Sequence, residues 1–127
     1  MNQICLALPV LMGRTGHARR LLQELDGGRR VDHERFARRL GIHKAVWYLA
    51  AIPLGDLLIS YIEVDDLDRA AALLARSHDD FDLWFNAALR DATGIDLSAA
   101  HQVPRPQLLC SWADSVTTMP TIRTGSA

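Results

Sequence analysis

Cysteine is scarce in this chain, and so are the motifs that would tie it to a metal, a nucleotide or a covalent intermediate. Cys5 and Cys110 lie far apart, each inside an apolar run, with no CxxC spacing and no neighbouring histidine. A zinc cluster, a redox pair and a cysteine–histidine nucleophile therefore have no local signature. Both are expected to be buried thiols, the usual fate of free cysteine. There is no GxSxG elbow, and no pair of histidines has HxxxH or HExxH spacing. Neither GRTG nor the GG segment follows a dinucleotide or Walker pattern. Long apolar runs are missing as well: stretches such as AVWYLAAI fall far short of the roughly 20 residues of a membrane helix. The amino terminus lacks a basic region followed by a long apolar one. A cytoplasmic protein with no cofactor, metal or membrane partner is expected.

What is present is an ordinary globular composition, 49% hydrophobic and 23% charged over 127 residues. That length suits one domain able to bury about two thirds of its unfolded surface. Charge is unevenly spread. Residues 14–44 hold nine Lys/Arg and four Asp/Glu, whereas residues 56–114 hold four and eleven. A basic segment lying against an acidic one within the fold or a dimer accounts for this without nucleic acid.

ICLALPV reads as a strand covered on both faces. Ala18, Leu21, Leu22 and Leu25 then fall at helical spacing until Gly27 and Gly28, which interrupt or kink the helix. His33, Phe36, Ala37 and Leu40 continue it on one face, and Gly41 supplies a stop. KAVWYLAAI and DLLISYIEV, separated by PLG, predict an antiparallel hairpin. DDLDRAAALLARS and SHDDFDLWFNAALRDATG predict two helices, with acidic residues where the dipole favours them. LLCSWAD is a candidate last strand, and residues 115–127 read as a polar, flexible tail.

This order is βαββαβ: a ferredoxin-like α+β fold over residues 1–114, with helices on one face of a four-stranded antiparallel sheet. Pairing Ile52 with Asp56 across PLG places Trp47 opposite Tyr61 and Ala45 opposite Glu63, on one face with His43. Both sheet faces come out largely apolar. Helices cover one, and a second copy is expected to cover the other in a homodimer.

The succession ALPVLMGRT, RRLGIHKAVWYL, PLGDLLISYIEVDD, SHDDFDLWF and TGIDL resembles a family of small bacterial proteins of the dimeric α+β barrel type. The likeness runs over roughly residues 5 to 114 and is most specific from Gly41 to Leu97. Phe81, Asp82, Trp84 and Phe85 fit the family's aspartate-rich turn and tryptophan–phenylalanine pair. His78 departs from the acidic residue that relatives carry. By fold the resemblance extends to antibiotic-biosynthesis monooxygenases and ferredoxin-like polyketide cyclases. It implies a pocket for an oily or aromatic small molecule, and no single reaction.

Histidine is the usual acid/base group in such a pocket. His33, His43, Tyr61, His78 and Asp82 are the candidate proton-transfer residues. Phe36, Trp47, Phe81, Trp84 and Trp112 are the candidate substrate-binding surface, although aromatics at these spacings more often build core or interface. Glu63 would need a partner if buried, and Arg35 or Arg39 could supply it. The acidic, aliphatic DLLISYIEV does not suit RNA recognition. The expected function is proton transfer on an aromatic or polyketide-like intermediate, by a cyclase, an isomerase or a cofactor-independent monooxygenase. A non-catalytic dimeric small-molecule-binding or stress-response protein is the alternative.

Overall fold

A computed structural model describes residues 2–99 and 104–114. Strand β1 spans Asn2–Pro9, helix α1 Thr15–Asp26 and helix α2 Arg30–Leu40. Strands β2 (Ile42–Ile52) and β3 (Gly55–Val64) form the hairpin, and helices α3 (Leu67–Arg76) and α4 (Asp80–Thr93) follow. The fold is α+β, and the sheet has three antiparallel strands in the order β1-β3-β2. Among the described residues, no helix is long and apolar enough to cross a membrane.

Each helix boundary has a local cause. The α1–α2 break falls at the paired glycines, where a Cβ on Gly27 would sit 2.9 Å from the Gln23 carbonyl oxygen. α2 ends at Gly41 in the left-handed region, φ +74°, with its N–H returned to Ala37 and Arg38 carbonyls. Most residues pay a steric penalty there and glycine does not. Asp66 caps α3 by accepting the Arg69 N–H, and Asp79 caps α4 by accepting those of Phe81 and Asp82. These caps satisfy donors that have no partner inside the helix.

The core lies between the helices and one face of the sheet. Leu8, Leu58, Ile62 and Val64 meet Leu21, Leu25, Phe36, Leu40, Leu74, Phe81, Phe85 and Leu89 there. Burying a side chain of this size contributes about 1.5–3 kcal/mol. α1 packs along α4, while α2 contacts β2, α3 and α4. The basic first half thus lies against the acidic second half inside one chain.

Three expectations are corrected. The hairpin register is one residue tighter than predicted: Ile52 pairs with Gly55, so Trp47 lies opposite Ser60 and Val46 opposite Tyr61. Only Pro53 and Leu54 form the loop, because Gly55 already belongs to β3. A one-residue slip exchanges the faces of a strand. Trp47 therefore shares the helix-facing side with Leu58, Ser60 and Ile62, and Tyr61 shares the outer side with Val46 and Tyr48.

Residues 104–114 form no helix or strand, so the predicted fourth strand is not seen on β1. Arg105 donates to Asp68 near the start of α3. That contact holds the segment at the end of the sheet where β3 runs into α3, and Leu109 and Trp112 extend into solvent, 82% and 83% exposed. Finally, both cysteines are exposed rather than buried. Cys5 lies opposite Tyr61 on the outer side of the sheet. The expected tail, 115–127, falls outside the described residues.

Candidate functional site

The helix-facing layer gathers most of the aromatic residues that the sequence singles out. Phe36 on α2 meets Phe81 and Phe85 on α4 at centroid distances of 5.4 and 5.2 Å. Phe85 meets the Trp47 ring edge-on at 6.2 Å, and Phe81 touches Trp84 at 5.6 Å. The row arises because Phe81, Trp84 and Phe85 recur at helical spacing on α4 while Trp47 points up from β2. Edge and tilted contacts of this kind stabilise by about 0.5–1.5 kcal/mol per pair beyond burial.

His33 belongs to this cluster. Its ring lies 6.1 Å from Phe36 and 6.3 Å from Phe81. Burial lowers its pKa below the ordinary histidine value, opposed by the neighbouring Glu34 carboxylate. Desolvation disfavours the imidazolium, so a neutral ring able to accept a proton is held at neutral pH.

Asp82 is a different kind of group. Its side chain has no solvent exposure, and its two oxygens accept from Arg39 Nη1 and Nη2, each at 2.8 Å. Ser77 Oγ donates a third bond at 2.5 Å. Burial pushes the carboxyl pKa up, but the Arg39 and Ser77 hydrogen bonds outweigh it and hold the group below the usual carboxylate range. Arg39, 41% exposed, also lies 3.6 Å from Asp79. A carboxylate locked by a guanidinium fork joins α2 to α4 and has little freedom to exchange protons. Asp82, expected as a proton-transfer residue, thus stands in an ion pair between α2 and α4.

The other expected proton-transfer residues are dispersed. His43 lies at a bulge of β2, exposed, with Nε2 2.7 Å from Asp65 Oδ1. His78 is exposed ahead of α4. Tyr61 is on the outer sheet face and donates to Glu63 Oε2 at 2.7 Å. That hydrogen bond, with smaller contributions from burial and the Glu63 charge, raises the phenol pKa. The partner of Glu63 is therefore Tyr61, and Arg39 is committed to Asp82. Trp112 stands apart from the aromatic row in the exposed segment.

Trp84 faces a second environment. The Arg29 guanidinium carbon sits 4.0 Å above its ring centroid, a cation–π contact at the α1–α2 break. A cleft of about 200 Å³ opens there, lined by His17, Arg20, Glu24, Arg29, Trp84 and Asp91. It is smaller than the roughly 300–1,000 Å³ typical of ligand pockets, and its charges are mixed. Among the described residues, no group of three or more His, Cys, Asp or Glu could hold a metal ion.

Ser60 and Asn86, which were not foreseen, lie deeper. Trp47 Nε1, Ser60 Oγ and Asn86 Oδ1 are buried without a hydrogen-bond partner. Ser60 and Asn86 are polar intrusions into apolar stripes, and that mismatch with the surrounding period is the signal by which sequence could have marked them. The chain matches no protein-family model, no curated protein and no solved structure.

Proposed function

We propose that this chain is a cytoplasmic, homodimeric small-molecule enzyme that moves a proton on an aromatic or polyketide-like intermediate held in the helix-facing aromatic layer. The observation that carries the reading is His33, a half-buried imidazole kept neutral by burial beside Phe36 and Phe81. Neutral imidazole is the form that removes a proton from carbon acidified by a neighbouring carbonyl, and aromatic walls keep water from the enolate that results. Cyclisation, isomerisation and cofactor-independent oxygenation all begin from such a carbanion.

The outer sheet face supports the dimer. Val46, Ala50, Leu57 and Ile59, half-buried, line its middle with Tyr48, 58% exposed. A second copy presenting the same face would bury both, in the manner of a dimeric α+β barrel.

The test of chemistry is deuterium incorporation into the central methylene of benzoylacetone in D₂O at neutral pH. The reading expects exchange above the buffer rate that is lost in His33→Gln and kept in Tyr61→Phe. Equal exchange by wild type and His33→Gln would reject it. A monodisperse monomer in light scattering would reject the dimer.

A second reading, a non-catalytic binding protein with the same layer, is favoured by the commitment of His43, Tyr61 and Asp82 to hydrogen bonds with Asp65, Glu63 and Arg39. Ligand binding without exchange would select it.

A further inference from the structure

We infer that the cleft at the α1–α2 break binds a small zwitterion, a free α-amino acid with an apolar side chain, with its carboxylate on Arg20 and its ammonium group on Asp91. His33 and Phe36 do not line this cleft, so the inference stands apart from proton transfer in the aromatic layer.

Two helical stripes build the site. Arg20, Leu21 and Glu24 share one side of α1, and Trp84, Ala88 and Asp91, at i, i+4 and i+7, form the facing stripe of α4. The helices run antiparallel. The Leu11 N–H, ahead of α1, donates to the Ala92 carbonyl oxygen near the end of α4, while Arg29, just beyond α1, covers Trp84 near the start of α4. Asp91 therefore stands at the end of the cleft where α1 begins, and Trp84 at the end where α1 stops.

The charges along the cleft divide into those already engaged and those that are not. Arg14 Nη1 donates to His17 Nε2 at 3.2 Å, and Arg29 is held over Trp84 with Glu24 at 3.8 Å. Among the described residues, Arg20 and Asp91 have no ion-pair or side-chain hydrogen-bond partner. One cation and one anion thus open on the same cleft without pairing with each other. A lone anion would satisfy only Arg20 and a lone cation only Asp91, whereas a molecule carrying both signs satisfies the two together. The planar Arg20 fork matches a carboxylate, and Asp91 can accept from an ammonium group. Buried Leu21 and half-buried Ala88 give an apolar floor for the side chain. A volume of about 200 Å³ suits a body of amino-acid size, and the Arg29–Trp84 stack bounds the far end. The competing state is a pair of solvated surface charges that hold no ligand.

The experiment is a ¹⁵N–¹H titration of the full chain with L-leucine, alongside 4-methylpentanoate, which lacks the ammonium group, and 3-methylbutylamine, which lacks the carboxylate. The inference expects the Trp84 indole cross-peak and the Arg20 and Ala88 amides to move and saturate with leucine. It expects affinity to fall about tenfold in Arg20→Gln, in Asp91→Asn and with either single-charge probe, the loss of one charge-assisted hydrogen bond. Both substitutions fall on exposed side chains, and the single-charge probes need no variant, so misfolding cannot mimic the result. No saturation with leucine, shifts confined to the Trp47 or Trp112 indoles, or equal affinity for leucine and either single-charge probe would overturn the inference.

Discussion

Along β3, Leu58, Ser60, Ile62 and Val64 are at most 9% exposed, while Leu57, Ile59, Tyr61 and Glu63, one step away on the same strand, are half-buried. Both sets are mostly apolar, and both belong to one pleated ribbon. The first is closed by α1, α2 and α4 and contains the aromatic row, the neutral His33 and three unsatisfied polar atoms. The second carries one polar pair, Tyr61 with Glu63, and is open in the single chain. Hydrophobic content alone therefore does not distinguish a core from an interface. What distinguishes them is which face the connecting helices can reach.

Substitutions can separate the two faces, and the largest effect is expected in the closed one. Phe85→Ala removes the ring that touches Phe36, Trp47 and Phe81. It should destabilise the fold by about 4 kcal/mol, seen as a lower urea midpoint, because the cavity cannot collapse fully. A loss under about 1 kcal/mol would mean that this layer is loosely packed.

Next comes the Arg39–Asp82 pair, where the partners should respond unequally. Arg39→Ala strands a carboxylate with no exposure and should cost about 3 kcal/mol, the low end for a broken buried pair because Arg39 itself reaches solvent. Asp82→Asn leaves a partly exposed guanidinium that water can solvate, and should cost less. Equal losses would show that the pair behaves as a surface ion pair.

The pH dependence should also come from the closed face. His33 has a folded pKa below its unfolded value, so the unfolded state binds the proton more readily. Stability is full above the ordinary histidine value of about 6.5 and declines as pH falls through it toward the lowered folded value. Asp82, also depressed, adds a loss at more acid pH, present above about 3.9 and gone once pH falls below the folded value. Denaturation curves of His33→Gln should lose the first decline and keep the second.

The smallest effect on the fold is expected from the open face. Tyr48→Lys should change the unfolding free energy of the single chain by less than about 0.5 kcal/mol. In light scattering it should nevertheless shift the mass from dimer to monomer if the sheets pair. A dimer unaffected by this charge would place the contact elsewhere.

Periodicity reveals elements well and faces poorly. The helix over 80–93 and its cap were legible in DDFDLWFNAALRDATG, because apolar spacing, acidic first turn and terminal glycine agree. The α1–α2 break was legible in GG, and the hairpin in PLG. The face assignment failed at one residue, since a loop of two rather than three residues cannot be told from composition, and one step inverts a strand. Asp82 reads from sequence as a proton-transfer candidate for a related reason. Its partner Arg39 is 43 residues away, and only folding brings them together.

The sequence by itself determined a mixed α and β chain, its punctuation by glycine and aspartate, and the apolar character of both sheet faces, since these follow from local conformational preference and side-chain chemistry. Tertiary structure decided that Asp82 is a clamp, that His33 is the histidine of the aromatic layer, and that Trp47, Ser60 and Asn86 lie unsatisfied within the core. Those outcomes depend on register and on contacts between distant segments, where the energy of a charge or a donor is set by its neighbours in space.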